Sequence, residues 1–124
     1  MADFYVSVFP EVKILGETPM VVSLEIFGQK LMLLNAGDRH KFTEAISLVV
    51  ECETQEEIDT YWAKLTSNGG EEIECGWCKD KYGLRWQIVP TILGSLMSDP
   101  AKAPAVMAAF MKMKKFDIEK LINA

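Results

Sequence analysis

The stretch Cys75-Gly76-Trp77-Cys78-Lys79-Asp80-Lys81-Tyr82-Gly83-Leu84-Arg85-Trp86-Gln87-Ile88-Val89-Pro90 constrains the fold more than any other part of the chain. Two aromatic, β-favouring runs flank a polar turn that closes on Gly83, and glycine takes φ > 0 without steric cost. The pattern predicts a β-hairpin. Along its second strand Leu84, Trp86 and Ile88 point one way, and Arg85, Gln87 and Val89 the other. The first set makes a wall that packs. The second puts a guanidinium and an amide on a surface able to line a cleft.

The rest of the chain reads around this hairpin. Asp3 to Phe9 has an apolar helical stripe of Phe4, Tyr5, Val8 and Phe9, and Pro10 stops it. Val12 to Leu15 reads as a short edge strand. Met20 to Phe27 and Lys30 to Asn35 read as two strands joined at Gly28-Gln29. Residues 35–40 form a loop by composition. Ala45 to Cys52 is an apolar, β-branched run and reads as a buried strand. Thr54 then caps a helix, and Glu57 three residues later completes a capping box. Ile58, Tyr61, Trp62 and Leu65 fall at i, i+3, i+4 and i+7, the core face, and Asn68-Gly69-Gly70 ends the helix. After Pro90, Thr91 to Met97 fits one turn of helix. Asp99-Pro100 reads as an N-cap with proline at N1, opening a helix through Ala105 to Met113. Asp117 caps a last short helix through Leu121. The order helix, short strand, hairpin occurs at residues 3–35 and again at 54–90, and only the second copy has a leading strand.

Composition narrows the function classes. At 124 residues the chain is read as one domain, with 49% hydrophobic and 25% charged residues, ordinary globular usage. A net charge of −5 argues against a nucleic-acid partner, whose footprint would be basic. The one basic cluster, Lys112, Lys114 and Lys115, reads as a solvated helix end. No apolar run reaches the roughly 20 residues of a membrane helix. There is no signal-peptide pattern, so the expected location is cytoplasmic with no membrane partner. Three cysteines, an odd count, argue against a disulfide framework. Cys75 and Cys78 spell C-x-x-C. On one strand they would face opposite ways with Cα atoms ~10 Å apart, too far for a bridge.

The hairpin also carries a resemblance. Its Cys-Gly-Trp segment, Asp-Lys-Tyr-Gly turn and Trp-Gln-Ile-Val-Pro strand resemble the PhnB-like branch of the vicinal oxygen chelate (glyoxalase/bleomycin-resistance) superfamily, often labelled demethylubiquinone methyltransferase-like. Phe4-Tyr5 with Phe9, residues 33–37 and 41–47, Tyr61-Trp62 and residues 111–115 resemble it too. The resemblance implies an α+β fold of paired βαβββ modules whose sheets form a cup around a ligand. It divides the single domain, 1–124, into half-modules 1–37 and 44–90 and a C-terminal helical extension, 91–124. Relatives begin with a strand before the Phe-Tyr helix, where this sequence has Met1. The expectation is a chain shortened at its start, or one whose first sheet is completed by a partner's strand in a homodimer.

In metal-dependent members, His, Gln and Glu side chains converge on one divalent ion. The resemblance places those positions near Ala45, with Glu44 adjacent, and on Gln87; the first-strand ligand falls outside this sequence. A neutral amide replaces a hard-cation carboxylate poorly, and the single histidine, His40, lies in a loop. No metal and no cofactor are therefore expected. No G-x-G occurs, so the strand, Gly-rich turn and helix of a nucleotide-type cofactor site are missing, and the methyltransferase label reads as a family name. What remains is a small-molecule cleft lined by Ser47, Val49, Arg85, Gln87 and Val89, with Arg85 to hold an anionic group and Gln87 to orient an amide or carbonyl. The alternatives are an exposed Arg85 with Gln87 bonded to backbone, and a metal-dependent lyase, isomerase or dioxygenase using Glu44, His40 or Gln87. Catalytic residues stay unassigned.

Overall fold

The computed structural model describes residues 1–124, in two units, Met1–Lys41 and Phe42–Ala124. In the first, helix α1 (Ala2–Val8) buries Tyr5 and Val8. Pro10 bars Phe9 from the helical region, and Phe9 is extended at φ −113, ψ 142. Strands β1 (Val12–Glu17), β2 (Val21–Ile26) and β3 (Gln29–Leu34) follow as an antiparallel sheet in that order. β1 runs beyond the expected Leu15, through a bulge between Ile14 and Gly16. The β2–β3 turn is Phe27-Gly28, not the expected Gly28-Gln29. Both turn residues have positive φ, 47 and 81, as a two-residue turn matched to strand twist requires. Phe27 tolerates this because its ring packs edge-on against Phe9, with centroids 5.5 Å apart.

The second unit begins with β4 (Ser47–Cys52) and α2 (Gln55–Leu65), then β5 (Glu71–Glu72), β6 (Trp77–Lys79) and β7 (Arg85–Pro90). The sheet order is β4-β7-β6-β5, with β4 parallel to β7 and the other pairs antiparallel. α2 starts as its punctuation requires: Thr54 Oγ1 accepts the Glu57 N–H at 3.1 Å. The Glu57 carboxylate takes the N–H of Glu53, one residue before the partner that a capping box implies. Ile58, Tyr61, Trp62 and Leu65 are all buried. They share the core with Val50, Cys52, Cys78, Trp86 and Ile88.

Sheet β1-β2-β3 matches β5-β6-β7 in element order, and β4 alone has no counterpart. The first sheet therefore ends at β3, where Met32 and Leu34 are exposed. The order of one helix followed by three strands thus occurs in each unit. No helix is long and apolar enough to cross a membrane.

Three short helices finish the second unit, α3 (Ile92–Met97), α4 (Ala103–Phe110) and α5 (Ile118–Ile122). Asp99-Pro100 does not open α4. Asp99 Oδ1 accepts from Ala101 N, a local turn that competes with helix, and α4 starts at Ala103 with a proline in its first turn. The helix also stops at Phe110, short of Met113. Lys112, Lys114 and Lys115 thus lie past its end. Lys115 reaches Asp59 of α2 at 2.8 Å. That bond, helped by Gln55, holds the Asp59 carboxyl below the usual range. Gln55 clamps the same segment: Nε2 donates to Phe116 O at 2.9 Å and Oε1 accepts from Ile118 N at 2.8 Å.

Candidate functional site

Strand alternation sorts the second sheet into two faces. On β7, Trp86, Ile88 and Pro90 are buried, while Arg85, Gln87 and Val89 are half-buried on the other side. The parallel register sets Ser47 beside Arg85 and Val49 beside Gln87. All five sequence-derived residues therefore share one face. Gln87 Nε2 donates to Ser47 Oγ at 2.9 Å, bridging β7 to β4.

The antiparallel register adds residues that sequence reasoning missed. Lys79 is the partner of Arg85, and Trp77 the partner of Gln87. Glu71 in turn is the partner of Lys79. One row across the face reads Glu71, Lys79, Arg85, Ser47, and the next reads Trp77, Gln87, Val49. The signal was available: closing the turn on Lys81–Gly83 pairs Asp80 with Leu84, whose carbonyl accepts the Asp80 N–H at 3.0 Å, and so Lys79 with Arg85.

Arg85 is held firmly, with its side chain only 16% exposed. Nη1 donates to Gly83 O at 2.9 Å and Phe42 O at 3.1 Å. Nη2 meets Glu44 Oε2 at 3.3 Å. Nε is buried with no acceptor. Lys79 pairs with Glu71, whose carboxyl sits below the usual range, chiefly through its bond to Lys79 and in small part through the charge of Arg85.

The hairpin that carries this face is built on Asp80, a carboxyl 1% exposed. Its Oδ1 accepts from Tyr82 N at 2.8 Å and Leu84 N at 3.2 Å, and its Oδ2 from Trp86 Nε1 at 2.9 Å. The turn and the wall of the core thus share one acceptor. At the other end, Cys75 and Gly76 have positive φ, 58 and 80. Their N–H groups donate to Met113 O and Lys114 O, both at 2.8 Å, which docks the C-terminal segment on the hairpin.

Cys75 and Cys78 do not share a strand: Cys75 sits in the turn before β6, and Cys78 lies within it. All three cysteines are free. Burial, then the charges of Asp80 and Glu72, pushes the Cys78 thiol up to about 12; burial and Glu57 push Cys52 up to about 12. A thiol that stays protonated is a poor nucleophile, which argues against thioredoxin-like exchange. With a disulfide-exchange reagent at pH 8, one thiol per native chain, Cys75, is expected to react, and all three in urea. Rapid reaction of Cys52 or Cys78 in the native protein would contradict this.

No three His, Cys, Asp or Glu side chains gather where they could hold a metal ion. Of the residues considered as ligands, Gln87 donates its amide N–H to Ser47 and Glu44 pairs with Arg85. A cleft of about 540 Å³ lies away from this face, between the starts of α2 and α5. Thr54 and Asp117, two of its polar residues, cap those helices.

Comparison with known proteins agrees with this architecture. A family model described as 3-demethylubiquinone-9 3-methyltransferase matches residues 1–89. The chain belongs to this PhnB-like family. Among solved structures it is similar to the PhnB protein of Bacillus cereus, 30% identical, covering 73% of this chain and 88% of that one, with a TM-score of 0.63. A Pseudomonas aeruginosa protein is 15% identical over 71% of this chain and 84% of its own, at TM-score 0.55, a likeness of fold. A glyoxalase/bleomycin resistance protein/dioxygenase from Alicyclobacillus acidocaldarius is 14% identical over 71% and 78%, at TM-score 0.47. No curated protein matches. The fold is α+β with a three-stranded and a four-stranded sheet, like that of the PhnB protein.

Proposed function

We propose that this PhnB-like chain binds a small molecule, without a metal ion, on the face lined by Ser47, Val49, Arg85, Gln87 and Val89. The observation that carries the reading is the Gln87–Ser47 hydrogen bond between neighbouring strands. It leaves the Gln87 carbonyl as an acceptor and the Ser47 hydroxyl as a donor, side by side between apolar Trp77 and Val49 and the Arg85 guanidinium. A few convergent polar groups on an apolar lining is how small-molecule sites fix orientation. The metal-free part rests on chemistry: an amide stands where a hard cation needs a carboxylate, and the nearby Glu44 carboxylate faces a guanidinium.

Crystals soaked with a mixture of small aromatic fragments test the proposal. Density over Trp77, Gln87 and Val49 is the expected result, in protein whose elemental analysis shows little divalent metal. Fragments found only in the α2–α5 cleft, or one divalent ion per chain, would contradict it.

A further inference from the structure

Lys79 and Arg85 stand directly opposite each other on neighbouring strands and share a face. Like charges in that position destabilise a sheet. Here each cation has its own carboxylate, Glu71 for Lys79 and Glu44 for Arg85. The two partners in each pair differ in freedom. The cations are held, with side chains 27% and 16% exposed, whereas the carboxylates are 62% and 79% exposed. Exposed ion pairs contribute little stability, so a competing anion displaces such carboxylates at low cost.

The guanidinium also has an unused donor. Glu44 meets Nη2 and leaves Nε without an acceptor. A carboxylate or phosphate approaching that edge would take Nη2 and Nε together, the bidentate arrangement that arginine favours. In the next row Trp77 offers an aromatic side chain and Val49 is 57% exposed, an apolar place for the body of such a ligand.

We propose that this face selects small organic anions, a carboxylate or phosphate attached to an apolar ring, with Lys79 and Arg85 as the clamp and Glu44 and Glu71 as stand-ins that yield to the ligand. The inference rests on the reading of this face as the binding surface and adds the chemical class of the ligand.

Calorimetric titration of the full chain with benzoate, phenyl phosphate and neutral benzamide tests it. The two anions are expected to bind at least about tenfold more tightly than benzamide. K79Q and R85Q should each weaken benzoate about tenfold and weaken benzamide by clearly less. E44Q should strengthen benzoate several-fold by removing the competitor, an effect that damage to the fold would not produce. Should R85Q fail to fold, K79Q and E44Q carry the same test. Equal affinity for benzoate and benzamide on this face would overturn the anion inference and leave the binding face standing. Binding that none of the three variants alters would place the ligand elsewhere and remove both. No binding of any probe overturns the anion inference alone, since the fragment soak reports on the face independently.

Discussion

Replacing Asp80 by alanine is expected to cost roughly 3–5 kcal/mol of stability. The carboxyl accepts from Tyr82 N, Leu84 N and Trp86 Nε1. Tyr82 is 39% exposed, so water can replace the acceptor at its N–H. Leu84 is 6% exposed and Trp86 1%, so their donors would be stranded. Each buried donor left without a partner costs about 1–3 kcal/mol. D80N should lose about half as much, because one amide oxygen can serve Oδ1's donors while its NH2 group faces the indole N–H. Urea unfolding followed by circular dichroism measures both. A loss below about 1 kcal/mol for D80A would show that the turn holds without its acceptor.

The second large effect is expected at Gly76. Its φ of +80 is strained for alanine, at about 1–2 kcal/mol. A Cβ there would also lie 2.2 Å from the Phe116 ring, which is 2% exposed. Either the ring leaves its site or the hairpin shifts. Emptying a buried phenylalanine site costs roughly 3–5 kcal/mol, so G76A should lose about as much as F116A or more. The double variant separates the causes. If G76A acts by expelling Phe116, G76A/F116A should be destabilised by clearly less than the sum of the two. Additive losses would mean that the backbone strain acts alone.

These residues show what was legible in the sequence. α2 was readable almost to the atom, since its cap and core stripe depend on residues three or four apart. The faces of β7 were readable because alternation is local. The Asp80 bond to Trp86 was not, because the hairpin must first close for the carboxyl to reach the indole. Gly76 suggested a turn; that it makes room for Phe116, forty residues on, is tertiary information. The Phe27-Gly28 turn escaped because phenylalanine rarely takes positive φ, and here the Phe9 ring supports it. Asp99-Pro100 carried a helix-start pattern that the local turn used first.

The candidate site divides the same way. Ser47, Val49, Arg85, Gln87 and Val89 follow from two alternating strands, and the parallel register puts them side by side. Lys79 and Trp77 join them only through the β6–β7 register. That register turns a lone arginine into a pair of cations beside an aromatic side chain.

The central claim is that this face of β4, β6 and β7 is where the protein meets its ligand. An amide-shift map of the isotopically labelled chain during titration with small aromatic fragments tests it most directly. The largest shifts are expected at Ser47, Trp77, Gln87 and the Arg85 side-chain Nε–H, moving together along one saturable curve. Shifts confined to residues 53–55 and 117–123, with those four signals unmoved, would contradict the account.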